Sequence, residues 1–166
     1  MSLDNADPRP LLLVDVDGVL NPWHAARCPE GFSEYSFFPG ERVLLSAGHG
    51  ELLRSLASSF ELVWATAWEH KANRLICPVI ALPELPVIEF PRTEPDYLFR
   101  KLPAVIDSVG DRPCAWIDDE HQSDHYVWAR ERGVPTLLID IDPAKGLTAS
   151  VAEQLARWAA KLASQT

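Results

Sequence analysis

The stretch Leu11-Leu12-Leu13-Val14-Asp15-Val16-Asp17-Gly18-Val19-Leu20 decides the fold. Four consecutive apolar residues have the composition of a strand buried on both faces, as the central strands of parallel sheets are. Ligands of such sheets gather beyond the carboxyl ends of the strands, and Asp15 and Asp17 stand there. If the strand persists through Asp17, the i, i+2 spacing points both carboxylates the same way. Two carboxylates facing one cleft repel unless one is protonated or a cation lies between them, and Mg²⁺ is the cation this arrangement points to. The same residues also read as turn chemistry alone, with Asp side chains bonding local amides and Gly18 at positive φ. The rest of the chain weighs between the two.

Outward from this segment, Leu62-Val63-Trp64-Ala65-Thr66 is a second apolar strand that ends on a hydroxyl. Lys101 precedes a helical stretch, and Cys114-Ala115-Trp116-Ile117-Asp118-Asp119 is a further buried strand ending in paired acids. Phosphoryl transfer needs an in-line nucleophile, neutralisation of the phosphoryl oxygens and a proton for the leaving group. Asp15 suits the first role, because a carboxylate can attack phosphorus and divide hydrolysis into two steps. Asp17 suits the proton transfers. Taken singly, Thr66 reads as a strand-end cap and Lys101 as a solvated side chain; their order along the chain is what gives them a function.

The series Asp-x-Asp, Thr, Lys, Asp-Asp at successive strand ends resembles the four motifs of the haloacid dehalogenase superfamily of phosphohydrolases, over about residues 11 to 142. Response regulators use the same residue types in a different order, with the acid pair first, and are rejected on that ground. The resemblance implies a three-layer, doubly wound α/β fold with a parallel sheet of about five strands. It implies catalytic roles for Asp15, Asp17, Thr66 and Lys101, and substrate contacts from Gly18, Ala67 and Trp68. It also implies Mg²⁺ held by the Asp15 carboxylate, the Asp17 carbonyl and Asp118, with Asp119 acting through water. Arg100 and Arg92 are further cations within reach of the Lys101 role.

The intervals from Asp17 to Thr66 (49 positions) and from Thr66 to Lys101 (35 positions) are largely consumed by core elements, so no full cap domain fits. Residues 21–42 suffice for the short helical turn and hairpin flap that the superfamily places after its first strand. Their aromatic residues, Trp23, Phe32, Tyr35, Phe37 and Phe38, are available to line an entrance. The reading that follows is a Mg²⁺-dependent phosphomonoesterase acting on a small molecule or a nucleic-acid end. The motifs Trp64 to His70 and Trp116 to Glu120 look more particularly like compact domains of RNA repair systems. The alternative is a binding or regulatory module that keeps the fold without turnover.

Composition bounds the rest. A chain of 166 residues, 47% hydrophobic, is one domain able to bury a core. Its net charge of −9 argues against tight nonspecific nucleic-acid binding. Cys28, Cys77 and Cys114 lack metal-ligand spacing and read as reduced thiols. Neither a signal peptide nor a membrane span is evident, which places the expectation in the cytoplasm without an obligate protein partner. Residues 1–10 read as a flexible lead, Val87 to Phe90 as a short strand, and His70 as a neighbour of the Thr66 pocket. Ser123 and Ser150 read as helix caps, the latter in a Ser150-Val-Ala-Glu153 capping box.

Overall fold

The computed structural model describes residues 7–91 and 100–165. The first strand, β1 (Leu11–Val14), is buried throughout. It is followed by a small antiparallel hairpin of β2 (Ser33–Tyr35) and β3 (Val43–Leu45), then by helix α1 (Ala47–Leu56). Strand β4 (Glu61–Trp64) leads into a helical segment with a π-helical turn at Ala72–Ile76 and a short helix α2 (Cys77–Ile80). Helix α3 (Leu102–Val109), strand β5 (Cys114–Asp118), helix α4 (Ser123–Glu131), strand β6 (Thr136–Asp140) and helix α5 (Ala149–Ala163) complete the order.

The main sheet is parallel, in the order β4-β1-β5-β6. Period-two alternation divides β1 between the two faces of the sheet. Leu12 and Val14 pack with Leu53 and Leu56 of α1, Ile80 of α2 and Leu155 of α5. Leu11 and Leu13 pack with Ala104, Val105 and Val109 of α3. The three-layer, doubly wound α/β arrangement is therefore present. Because the chain leaves β1 for β4 on one side and later returns to β5 on the other, the order reverses beside β1. That is the switch point where ligands of open α/β sheets bind.

Among the described residues the sheet has four strands, not about five. Val87 makes only a single bridge to Trp64, through bonds from the Trp64 amide to the Pro86 carbonyl and from the Ile88 amide to the Trp64 carbonyl, each 2.9 Å. Pro83, Pro86 and Pro91 flank the segment and carry no N–H to extend a ladder.

The hairpin runs to Leu45, three residues past the expected insert. Residues 7–10 are not loose, since the Pro10 carbonyl accepts from the Glu61 amide (3.0 Å) and the Arg9 carbonyl from Arg112 (2.8 Å). Residues 1–6 and Arg92 lie outside the described residues. Two helix starts differ from expectation: α4 is capped at Gln122 rather than Ser123, and α5 at Thr148, whose hydroxyl accepts from the Val151 amide, rather than Ser150. Among the described residues no helix is long and apolar enough to cross a membrane.

Candidate active site

Strands β4, β1 and β5 end side by side, with Val14 in register with Trp64 and Ile117. The residues just beyond them are Ala65 and Thr66, Asp15, and Asp118 at the last position of β5. Asp15 and Asp118 are buried, and Thr66 is completely so. Lys101, at the start of α3, donates from Nζ to Asp15 Oδ2 and to Asp118 Oδ2, both at 2.7 Å. Burial opposes the charge on Lys101, but the two carboxylates outweigh it and hold the ammonium above its ordinary pKa. The second Asp15 oxygen accepts from the Val16 amide at 2.7 Å.

One ammonium does not balance the acids present. Oxygens of Asp15, Asp118 and Asp119 all lie within 4.8 Å of one another. Burial pushes the Asp15 carboxyl up to about 7; the Lys101 charge pulls it back, and the Asp118 charge adds to the rise. Asp119 is likewise raised, by burial and then by the Asp118 charge, against a hydrogen bond from Trp23. The excess of negative charge is the condition under which a hard cation is held by oxygen ligands.

Asp17 does not join this cluster with its side chain. Strand β1 ends at Val14, the chain turns at Gly18 (φ 77°), and the shared direction expected from an unbroken strand is lost. Its two carboxylate oxygens instead accept from Asn21 Nδ2 and from the Trp68 indole, each at 2.9 Å. The Asn21 oxygen accepts in turn from the Leu44 amide of β3, also at 2.9 Å. Gly18 is required twice over: its backbone is left-handed, and a Cβ there would come within 2.1 Å of Asp119 Cγ. Gly18→Ala should therefore cost at least about 1–2 kcal/mol from backbone strain alone. A urea-unfolding loss below half that amount would show that the turn relaxes.

Two adjoining spaces open above these residues. A cleft of about 210 Å³ is lined by Asp15, Lys101, Asp118, Asp119, Gln122 and His125 among others. A chamber of about 410 Å³ is lined by Asn21, Phe38, Arg42, Trp68 and Lys71 among others. Asp17, Trp23 and Ala67 belong to both. Of the Trp68-Glu69-His70 run, only Trp68 reaches this region. Glu69 accepts from the Phe90 amide at 3.0 Å, and His70 pairs with Glu89 at 2.6 Å. Asp140, which repeats an Asp-x-Asp spacing with Asp142, is engaged by His121 and Tyr126 instead.

Asn21, Gln122 and His125 were not marked by sequence reasoning. Asn21 had a signal, since a polar amide directly follows the buried pair Val19-Leu20 and is itself buried. Gln122 and His125 had none, because their approach depends on how α4 leaves β5. Comparison of the chain with models of known protein families and with curated proteins finds no match to either.

Proposed function

We propose that this chain is a Mg²⁺-dependent phosphomonoesterase of the haloacid dehalogenase type, acting through an aspartyl-phosphate on Asp15. The observation that carries the reading is the Lys101 ammonium bonded to both Asp15 and Asp118 at the mouth of three adjacent parallel strands, with Thr66 buried alongside. Asp15 Oδ forms a bond to phosphorus as the ester P–O bond breaks, and Asp17 gives a proton to the departing alkoxide. Asp17 then takes a proton from water as the water oxygen attacks phosphorus. The P–O bond to Asp15 breaks, inorganic phosphate leaves and the carboxylate is restored. Lys101 and Thr66 offset charge on the phosphoryl oxygens as it builds.

The donor set fits Mg²⁺. Asp15, Asp118 and Asp119 offer hard oxygens within 4.8 Å, close to the roughly 4.2 Å span across an octahedron with bonds of about 2.1 Å. When bound there, the ion supplies neutralisation of the phosphoryl oxygens. The open cleft leaves specificity to the rim.

A screen of sugar phosphates, nucleotides and phosphorylated oligonucleotides, run in Mg²⁺ and in EDTA, tests this. Hydrolysis in Mg²⁺ and none in EDTA is expected; full activity in EDTA removes the metal from the reading, and no activity anywhere favours the binding-module alternative. Asp17→Asn should slow release of poorly acidic alcohols by about 10²- to 10⁴-fold while affecting p-nitrophenol least. Equal losses across leaving groups would remove the acid role from Asp17.

A further inference from the structure

We infer that the chamber beyond Asp17 receives a nucleobase, so that the substrate is a nucleotide phosphomonoester. The inference rests on the phosphatase reading and deepens it. If Asp17 protonates the leaving oxygen, the organic part of the substrate must lie on the Asp17 side of the cleft. The space there is the chamber of about 410 Å³, within the range of small-molecule sites.

Its walls are aromatic and fixed to the acids. The Trp68 indole donates to Asp17 at 2.9 Å, and Phe38 leans on Trp68 with ring centroids 5.7 Å apart. On the side shared with the cleft, the Trp23 indole donates to Asp119 at 3.1 Å. His24 stacks against Trp23 at 5.2 Å with planes 12° apart, yet the residue remains 52% exposed. An exposed tryptophan held by a hydrogen bond and a stacked neighbour has little freedom left to lose when a flat ring settles on it.

Two of the polar groups in its lining are already engaged. Asn21 is used by Asp17 and Leu44, and Arg42 by Glu34 (3.0 Å) and the Ala25 carbonyl (3.1 Å). A polyol would need several convergent partners, and with Asn21 and Arg42 engaged the chamber offers it the exposed Glu41 and Lys71 at the rim. An alkyl chain is disfavoured by Lys71, which lies 5.0 Å over the Phe38 ring, and by Arg42. A planar heteroaromatic ring is met by stacking, which is indifferent to which base is presented.

The test compares kcat/KM for adenosine 5′- and 3′-monophosphate with that for ribose 5-phosphate, in the wild type and in Trp23→Ala. A nucleotide preference of about ten- to a hundredfold is expected, collapsing toward unity in the variant. Phe38→Ala provides the same reading should Trp23→Ala fail to fold, and its ratio should fall as well. Equal rates on nucleotide and ribose phosphate in the wild type, or a preference unchanged in both variants, overturn the inference and leave the phosphatase reading standing. Absence of hydrolysis on every phosphomonoester overturns both. A trinucleotide carrying a terminal phosphate distinguishes the source: preference over the mononucleotide marks a nucleic-acid end, and the reverse marks a free nucleotide.

Discussion

Asp15→Asn is expected to abolish turnover, by about 10⁴-fold or more, while the chain still folds. An amide cannot form the acyl-phosphate, so nothing else in the cleft replaces the lost step. The fold tolerates the change because asparagine has the same shape and keeps one oxygen for either the Val16 amide or Lys101, which now sit at 2.7 Å from the two carboxylate oxygens. Wild-type-like turnover by the purified variant would remove the nucleophile from the proposal.

The same variant carries a pH signature. Because burial raises the Asp15 carboxyl from 3.8 to about 7, the folded chain holds that proton more tightly than the unfolded chain does. The resulting stability is fully present below about pH 4 and is lost as pH rises through 7, a swing on the order of 4 kcal/mol at most. Asparagine has no such proton. In EDTA, the stability of Asp15→Asn relative to wild type should therefore improve between pH 4 and pH 7, as read by urea unfolding. A difference that stays flat across that window would show that Asp15 is not held above its ordinary range.

Lys101→Met should be the costliest single change to stability at this site. Wild-type Lys101 is the shared partner of two buried carboxylates, and methionine of similar length leaves them facing each other without it. Removing one member of a buried ionic group costs about 3–5 kcal/mol because the remaining charges are uncompensated. The loss should shrink at pH 5, where one carboxyl takes up a proton, and shrink again in millimolar Mg²⁺. Phosphatase activity should fall by about 10²- to 10³-fold, in line with removal of a preorganised charge at a transition state. Destabilisation under about 1 kcal/mol at pH 7.5, with no response to Mg²⁺, would show that Lys101 does not hold the acids together.

The parts legible in the sequence are those set by short-range pattern. Leu11 to Val14 and Cys114 to Ile117 are apolar runs too short for helices and punctuated by acids, so their burial and their parallel pairing follow from composition. The juxtaposition of Asp15 and Asp118 was readable because residues at strand ends in a doubly wound sheet share one edge, whereas Lys101, at the start of α3, was brought to them only by the family resemblance. The direction of Asp17 hung on whether the strand persists, which composition does not settle: β1 ends at Val14 and the chain turns left-handed at Gly18, so strand periodicity does not reach Asp17. The strand at Val87 was overread, because apolar composition does not register how many ladder bonds neighbouring prolines remove. The bond from the Leu44 amide to Asn21 spans 23 residues and no local pattern encodes it.

The Asn21 side-chain amide joins two parts of the fold that need not be linked. One end of Asn21 steadies the carboxylate that would deliver the proton, and the other end is bonded to the hairpin at the entrance. Displacing the hairpin would strain or break the Leu44 contact and unsettle Asp17 with it. The hairpin and the carboxylate proposed as proton donor thus share a single amide, and neither can shift without the other registering it.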